Sequence, residues 1–180
     1  MRVSDEKAWR RYPLPRNRRL DAAIYRNPGQ TCFFTLRTAG GRAPFGDPRY
    51  AGIAVKCLLG QRAKSCCQLD VYCIMPDHIH LAVTPIKEGM SSLLYVERFK
   101  GWSSRLIHDG GWEGGLWQAR SYDRVPRVDE SLEEIGKYIL NNPVRAGLSL
   151  TWEDYDWCGI PQPIAIEECS GQEAVSKTVG

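Results

Sequence analysis

Two imidazoles stand two residues apart in Asp77-His78-Ile79-His80. On an extended strand, side chains two apart share a face, so His78 and His80 present their rings side by side while Ile79 points into the opposite layer. Two neutral imidazoles on one face are half of a metal site; the plain alternative is a pair of polar side chains on a wet sheet face. Tyr72, Ile74, Leu81 and Val83 make the surrounding strands apolar, which embeds the pair in a rigid scaffold. A second group lies in Ile135-Gly136-Lys137-Tyr138-Ile139-Leu140-Asn141-Asn142-Pro143. Tyr138 and Asn142 are four apart and share a helix face, with Ile135 and Ile139 on an adjoining face as anchors. Placed over the histidines, Asn142 can supply a third ligand oxygen and Tyr138 an attacking oxygen. Equally, Tyr138 can be amphipathic core filler and Asn142 a helix C-cap before proline. The sequence holds no HExxH, no GxxxxGK[ST] and no GxSxG, so neither a zinc-peptidase helix nor a nucleotide cofactor is expected.

The elements that must carry these residues are legible from periodicity. The run 31–37 (TCFFTLR) is β-branched and aromatic and predicts a strand. Apolar residues at helical spacing predict a helix over 48–64. Residues 68–75 and 78–84 predict two strands, and Pro76-Asp77 between them predicts an antiparallel hairpin. A long amphipathic helix is expected over 89–108, a strand or loop over 116–127, and a helix over 130–141 that ends before Pro143. Strands alternating with helices point to an α+β fold, with a mainly antiparallel sheet backed by helices. The expected organisation is a basic arm over 1–28, a catalytic domain over 29–147 and an extension over 148–180.

Size and charge set outer bounds. At 180 residues the chain suits one domain with one core. It has no apolar run long enough for a membrane span, and no apolar stretch follows its charged first residues, so no secretory signal is expected. The seven cysteines form no CxxC pair and read as reduced thiols in a cytoplasmic protein. Cys32, Cys57 and Cys73 sit in apolar surroundings and are expected in the core. Residues 1–64 carry 14 Lys/Arg against 4 Asp/Glu, and residues 65–180 carry 10 against 17. So lopsided a distribution suits a polyanion on the basic half, although a solvated face accounts for it as well.

Four blocks then resemble one family in order and spacing: CIMPDHIHLAVTP, ERFKGWSSRLI, LWQARSYDRV and YILNNPVRAGL. They are similar to the REP-associated tyrosine transposases of the IS200-like superfamily, the single-tyrosine branch of the HUH endonucleases. Trp152, Tyr155 and Trp157 resemble the family's closing segment. The loop over 38–47 is shorter than usual, Pro126 interrupts a stretch usually free of proline, and Cys158-Gly159 stands where a serine pair is more usual.

The resemblance implies a ferredoxin-like core, with His78, His80 and Asn142 as ligands of a divalent cation (magnesium or manganese) and Tyr138 as the nucleophile. It implies cleavage and rejoining of single-stranded DNA through a 5′-phosphotyrosine, with a hairpin as partner. Tyr122 is the runner-up nucleophile. Arg16, Arg18, Arg19, Arg26, Lys100, Arg120 and Arg124 are the candidate DNA contacts, and Trp102 or Trp112 can stack on an unpaired base. A water-using metal phosphodiesterase and a hairpin-binding protein without transposition are the competing readings. The oligomeric state stays open between monomer and homodimer.

Overall fold

The computed structural model describes residues 19–127 and 129–169. A single helical turn, α1 (Ala22–Tyr25), follows Asp21, whose side chain accepts from the Ala23 N–H at 2.9 Å. Tyr25 is buried and its hydroxyl donates to Asp123. The described end of the basic arm is thus docked on the body of the protein.

The aromatic run forms strand β1 (Cys32–Arg37). Helix α2 (Pro48–Ser65) starts at an Asp47 cap with proline in its first turn, where the missing N–H costs nothing. Strands β2 (Cys67–Met75) and β3 (His78–Pro85) form the expected hairpin. Helix α3 (Ser92–Asp109) crosses back to a three-residue strand, β4 (Tyr122–Arg124). Two helices, α4 (Leu132–Leu140) and α5 (Asn142–Arg145), follow, and β5 (Cys158–Gly159) closes the sheet. The strand order is β4-β1-β3-β2-β5, with every pairing antiparallel.

Both faces of this sheet are covered. On one face Phe34, Leu36, Ile74, Ile79, Leu81 and Val83 pack with Leu58 of α2 and with Tyr95 and Phe99 of α3. On the other, Phe33, Val71, Cys73, Met75 and Ala82 pack with Ile135, Ile139 and Leu140 of α4. The sheet is therefore sandwiched between helices, in an α+β fold. Cys32, Cys57 and Cys73 are fully buried, as expected, and all seven cysteines are free.

One irregularity matters to the site. The β2–β3 register shifts between Leu69 and Val71, leaving Asp70 unpaired in the ladder. An extra residue reverses the face of everything after it. Leu69 accordingly packs in the first core, whereas Val71, Cys73 and Met75 face α4. The shift sets Cys73 opposite His80 and Met75 opposite His78. Among the described residues, no helix is long and apolar enough to cross a membrane.

Candidate active site

His78 and His80 lie on the α4 side of β3, the central strand of the sheet, and Ile79 is wholly buried on the other side. Each ring is held through its Nδ1. His78 Nδ1 lies 2.6 Å from Asp77 Oδ1, and His80 Nδ1 lies 3.0 Å from Thr35 Oγ1 on the neighbouring strand. The two Nε2 atoms converge to 3.1 Å, with the rings edge to face. A carboxylate only accepts, so it keeps the His78 proton on Nδ1 and leaves an Nε2 lone pair. Burial, the neighbouring His78 ring and the charges of Arg37 and Arg145 lower the His80 pKa to about 3. His80 is thus neutral at physiological pH.

That geometry fits a cation. Two nitrogens about 2.1 Å from one ion are roughly 3 Å apart when they occupy neighbouring octahedral positions. Among the described residues no cluster of three or more His, Cys, Asp or Glu side chains could hold a metal. An ion held by the imidazole pair would need ligands of another kind to complete its shell, such as an amide oxygen or a substrate phosphate.

Helix α4 brings the tyrosine. Its start is fixed by a reciprocal cap: Ser131 Oγ accepts from the Glu134 N–H at 3.1 Å, and Glu134 Oε2 accepts from the Ser131 N–H at 2.9 Å. Such caps contribute about 1 kcal/mol. Glu133 and Glu134 complement the positive end of the helix, and Lys137 pairs with Glu133 at 2.6 Å. Ile135 and Ile139 are buried on the sheet, while Tyr138 stands 38% exposed at the edge of that contact. Its ring lies 6.4 Å from the His80 ring, centroid to centroid.

Asn142 opens α5, one turn beyond. Its Nδ2 donates to the carbonyls of Tyr138 and Ile139, at 2.9 and 3.0 Å. The side chain is tied to its own helix through nitrogen, which leaves Oδ1 as the end that can reach a ligand. The structure brings His78, His80 and Tyr138 together; the recorded contacts of Asn142 run to α4, not to the imidazoles.

Tyr122 lies on the same sheet face. It is the register partner of Thr35, which is in turn the partner of His80. Two strand spacings, roughly 10 Å, separate its backbone from that of His80. Its recorded position is on β4 at the sheet edge, 39% exposed.

The candidate DNA contacts are dispersed. Arg16 and Arg18 lie outside the described residues. Arg19 sits 3.6 Å from Glu97 of α3. Arg26 is exposed beside a surface groove lined by Ile24, Asn27, Pro28 and Gln30, among others. Lys100 donates to the carbonyls of Gln118 and Ala119, at 2.6 and 3.3 Å, and burial lowers its pKa. Arg124 makes a two-pronged ion pair with Glu130 and lies over the Phe33 ring. Arg120 is exposed next to the segment that Lys100 holds. Trp102 and Trp112 both pack against the first core.

Two cations that the sequence did not single out flank the site. Arg37 is the register partner of His78. Arg145 places its guanidinium carbon 5.1 Å from the Tyr138 ring centroid. Arg145 was open to view in the YILNNPVRAGL block, seven residues after the tyrosine. Arg37 is brought in by strand pairing alone.

A family model described as "Transposase IS200 like" matches residues 54–142, the segment that holds both histidines, Tyr138 and Asn142. No curated protein matches the chain. Among solved structures, a REP-associated tyrosine transposase bound to a REP hairpin aligns with a TM-score of 0.64 at 19% identity, covering 81% of this chain and 82% of that one. A candidate transposase from Deinococcus radiodurans R1 aligns with a TM-score of 0.47 at 19% identity, over 62% of this chain and 88% of that one. At these identities the first likeness is one of fold.

Proposed function

The chain belongs to the IS200-like transposase superfamily, and from that premise we propose that it cuts and rejoins single-stranded DNA through a covalent bond to Tyr138. The observation that carries this reading is the meeting of the Tyr138 ring with the imidazole pair on one sheet face, at 6.4 Å from His80. The proposed core is ferredoxin-like, since β1-α2-β2-β3-α3-β4 runs as a split βαβ repeat with β3 between β1 and β2.

In the proposed reaction His78 and His80 hold a divalent cation, magnesium or manganese, with Asn142 Oδ1 as a third ligand. The cation supplies charge neutralisation on the scissile phosphate. Thr35 and Asp77 fix the two rings so that their Nε2 atoms stay aimed at one point. Helix α4 holds Tyr138 at the edge of the site, where strand and phenol can approach in line. The Tyr138 oxygen bonds to phosphorus as the bond to the 3′ oxygen breaks. The phenol proton passes to water, and the 3′ oxygen leaves as a hydroxyl after taking a proton from water. The phosphotyrosine conserves the bond energy, so rejoining by a 3′-hydroxyl needs no nucleotide.

The proposed substrate is a strand that folds into a hairpin with a single-stranded flank. Seven free thiols suit work in the cytoplasm. The test is a denaturing gel of the full chain with Mn²⁺ and hairpin oligonucleotides drawn from the flanks of its own gene. A shifted protein–DNA band that needs the cation is expected. Metal-dependent nicking without such a band would overturn the tyrosine reading in favour of water as nucleophile.

A further inference from the structure

We propose that Arg145 is a catalytic residue, binding the scissile phosphate beside the Tyr138 oxygen. The inference rests on the functional reading above and adds to it a residue outside the histidine–tyrosine–asparagine set. Tyr138, Asn142 and Arg145 occur at i, i+4 and i+7 across α4 and α5. Backbone hydrogen bonds flank the joint on either side of Pro143, which has no N–H of its own: the Asn141 N–H donates to the Lys137 carbonyl at 3.0 Å, and the Arg145 N–H donates to the Asn141 carbonyl at 3.0 Å. The Asn142 side chain ties the joint further by donating to the Tyr138 carbonyl. A tyrosine and an arginine seven residues apart are thereby mounted on one rigid piece.

The guanidinium lies over the Tyr138 ring, its carbon 5.1 Å from the centroid. Stacking of this kind at an exposed site is weak, and in this structure it sets the fork of N–H donors beside the ring. Neighbouring cations are committed elsewhere: Lys137 to Glu133, and Arg124 to Glu130. Among the described residues, no carboxylate forms a salt bridge with Arg145. Arg145 is exposed, so an incoming strand can reach it.

A planar guanidinium matches two phosphate oxygens at once. During in-line attack, negative charge is spread over the non-bridging oxygens. A fixed cation beside the nucleophile stabilises that charge as it develops, whereas a mobile surface arginine only adds affinity. Arg37, on the neighbouring strand as the register partner of His78, adds a second basic residue near the imidazole pair.

The test compares wild type with Arg145→Lys, Arg145→Gln and Arg145→Ala in single-turnover adduct formation with Mn²⁺ and a hairpin oligonucleotide. Glutamine keeps a planar group over the ring without the charge. Arg145→Gln and Arg145→Ala are expected to slow the adduct by about 100-fold or more, and Arg145→Lys to recover part of the rate. A second measurement uses the Tyr138→Phe background, where no chemistry intervenes. There Arg145→Gln should weaken binding of a flank carrying the native phosphate at the mapped cleavage position. It should leave binding unchanged when that phosphate is an uncharged methylphosphonate. Gln and Ala rates within threefold of wild type would overturn the inference, as would equal loss of binding on charged and neutral flanks, which marks a structural role. Failure of the wild type to form any adduct would instead overturn the functional reading itself.

Discussion

The Nε2 atoms of His78 and His80 face each other across 3.1 Å while both Nδ1 atoms are engaged by other side chains. Two imidazole lone pairs aimed at one point repel unless a proton or a cation lies between them. Without an ion, neutral His80 supplies that proton from Nε2 when Thr35 Oγ1 donates to its Nδ1; with the His80 proton on Nδ1 instead, both Nε2 lone pairs are open to a cation. A divalent ion answers both lone pairs at once. The pair is thus prepared by its supports: Thr35 comes from β1 and Asp77 from the hairpin turn.

Those supports give the first prediction. Removing a residue that orients a ligating histidine commonly costs 10–100-fold in metal affinity. Asp77→Ala should therefore weaken Mn²⁺ binding by about that factor, whereas Asp77→Asn, which keeps an acceptor for Nδ1–H, should stay close to wild type. The Thr38 side chain uses only the Asp77 backbone carbonyl, so neither change disturbs the turn. Titration followed by the electron paramagnetic resonance of free Mn²⁺ reads the constant directly; unaltered affinity in Asp77→Ala would remove the carboxylate from the site.

The second prediction concerns Asp70, the residue of the β2 bulge. Burial raises its pKa to about 6, partly opposed by a hydrogen bond donated by Thr84 Oγ1 at 2.6 Å. A carboxyl whose pKa is raised in the folded state keeps its proton there after the unfolded chain has lost it. Folding stability therefore falls as pH rises from about 4 to about 6 and then stays level. Replacing it by Asn removes the ionisation. Asp70→Asn should add roughly 1–2 kcal/mol at pH 7.5, a discounted conversion of the shift, and little at pH 4. Urea denaturation at the two pH values decides: an equal effect at both would mean that ionisation of Asp70 is not the cause.

Asp70 also shows where sequence reading reaches its limit. The two strands, their hairpin at Pro76-Asp77 and the shared face of His78 and His80 follow from period-two alternation, and the structure has them. The bulge does not follow, because alternation through QLDVYCIM says nothing of which residue is extra. Without it Cys73 and Met75 would face the other core. Helix α4 was legible from Ile135 and Ile139, and its starting cap is a Ser-x-x-Glu. By contrast β5, two residues long, carries no pattern and joins the sheet only through pairing with Tyr72 and Cys73. Charge was the least legible property. Arg19, Lys100 and Arg124 look alike in a basic sequence, yet they meet Glu97, two carbonyls and Glu130. Arg37 and Arg145 flank the imidazoles because register and helix packing put them there, which local pattern does not encode.

The third prediction addresses the basic arm. Residues 1–64 hold the surplus of positive charge, and the described end of the arm docks through Tyr25 and Asp123. Changing Arg16, Arg18 and Arg19 together to Glu should weaken hairpin binding and make the logarithmic salt slope shallower, by up to about three charges' worth. The rate of adduct formation at saturating DNA should hold. Fluorescence anisotropy across a salt series tests it, and a slope equal to that of wild type would exclude the arm as a phosphate contact.

The last prediction separates the two exposed tyrosines. Tyr122 and Tyr138 have nearly the same exposure, 39% and 38%, and both lie on the histidine side of the sheet, so exposure cannot choose between them. Position does. Tyr138 sits on a capped helix whose apolar residues are pinned to the sheet, and its ring is 6.4 Å from His80. Tyr122 sits on a three-residue edge strand, two strands from His80. A reacting oxygen needs a fixed mount within reach of the phosphate that the imidazole pair would organise. Tyr138→Phe should therefore abolish the covalent adduct while leaving Mn²⁺ and hairpin binding within about threefold of wild type, because the ring still packs and only one oxygen is lost. Tyr122→Phe should still form the adduct. Proteolysis of the trapped complex followed by mass spectrometry locates the nucleotide. Its appearance on the peptide containing Tyr122 would move the nucleophile to β4 and leave α4 as a structural helix.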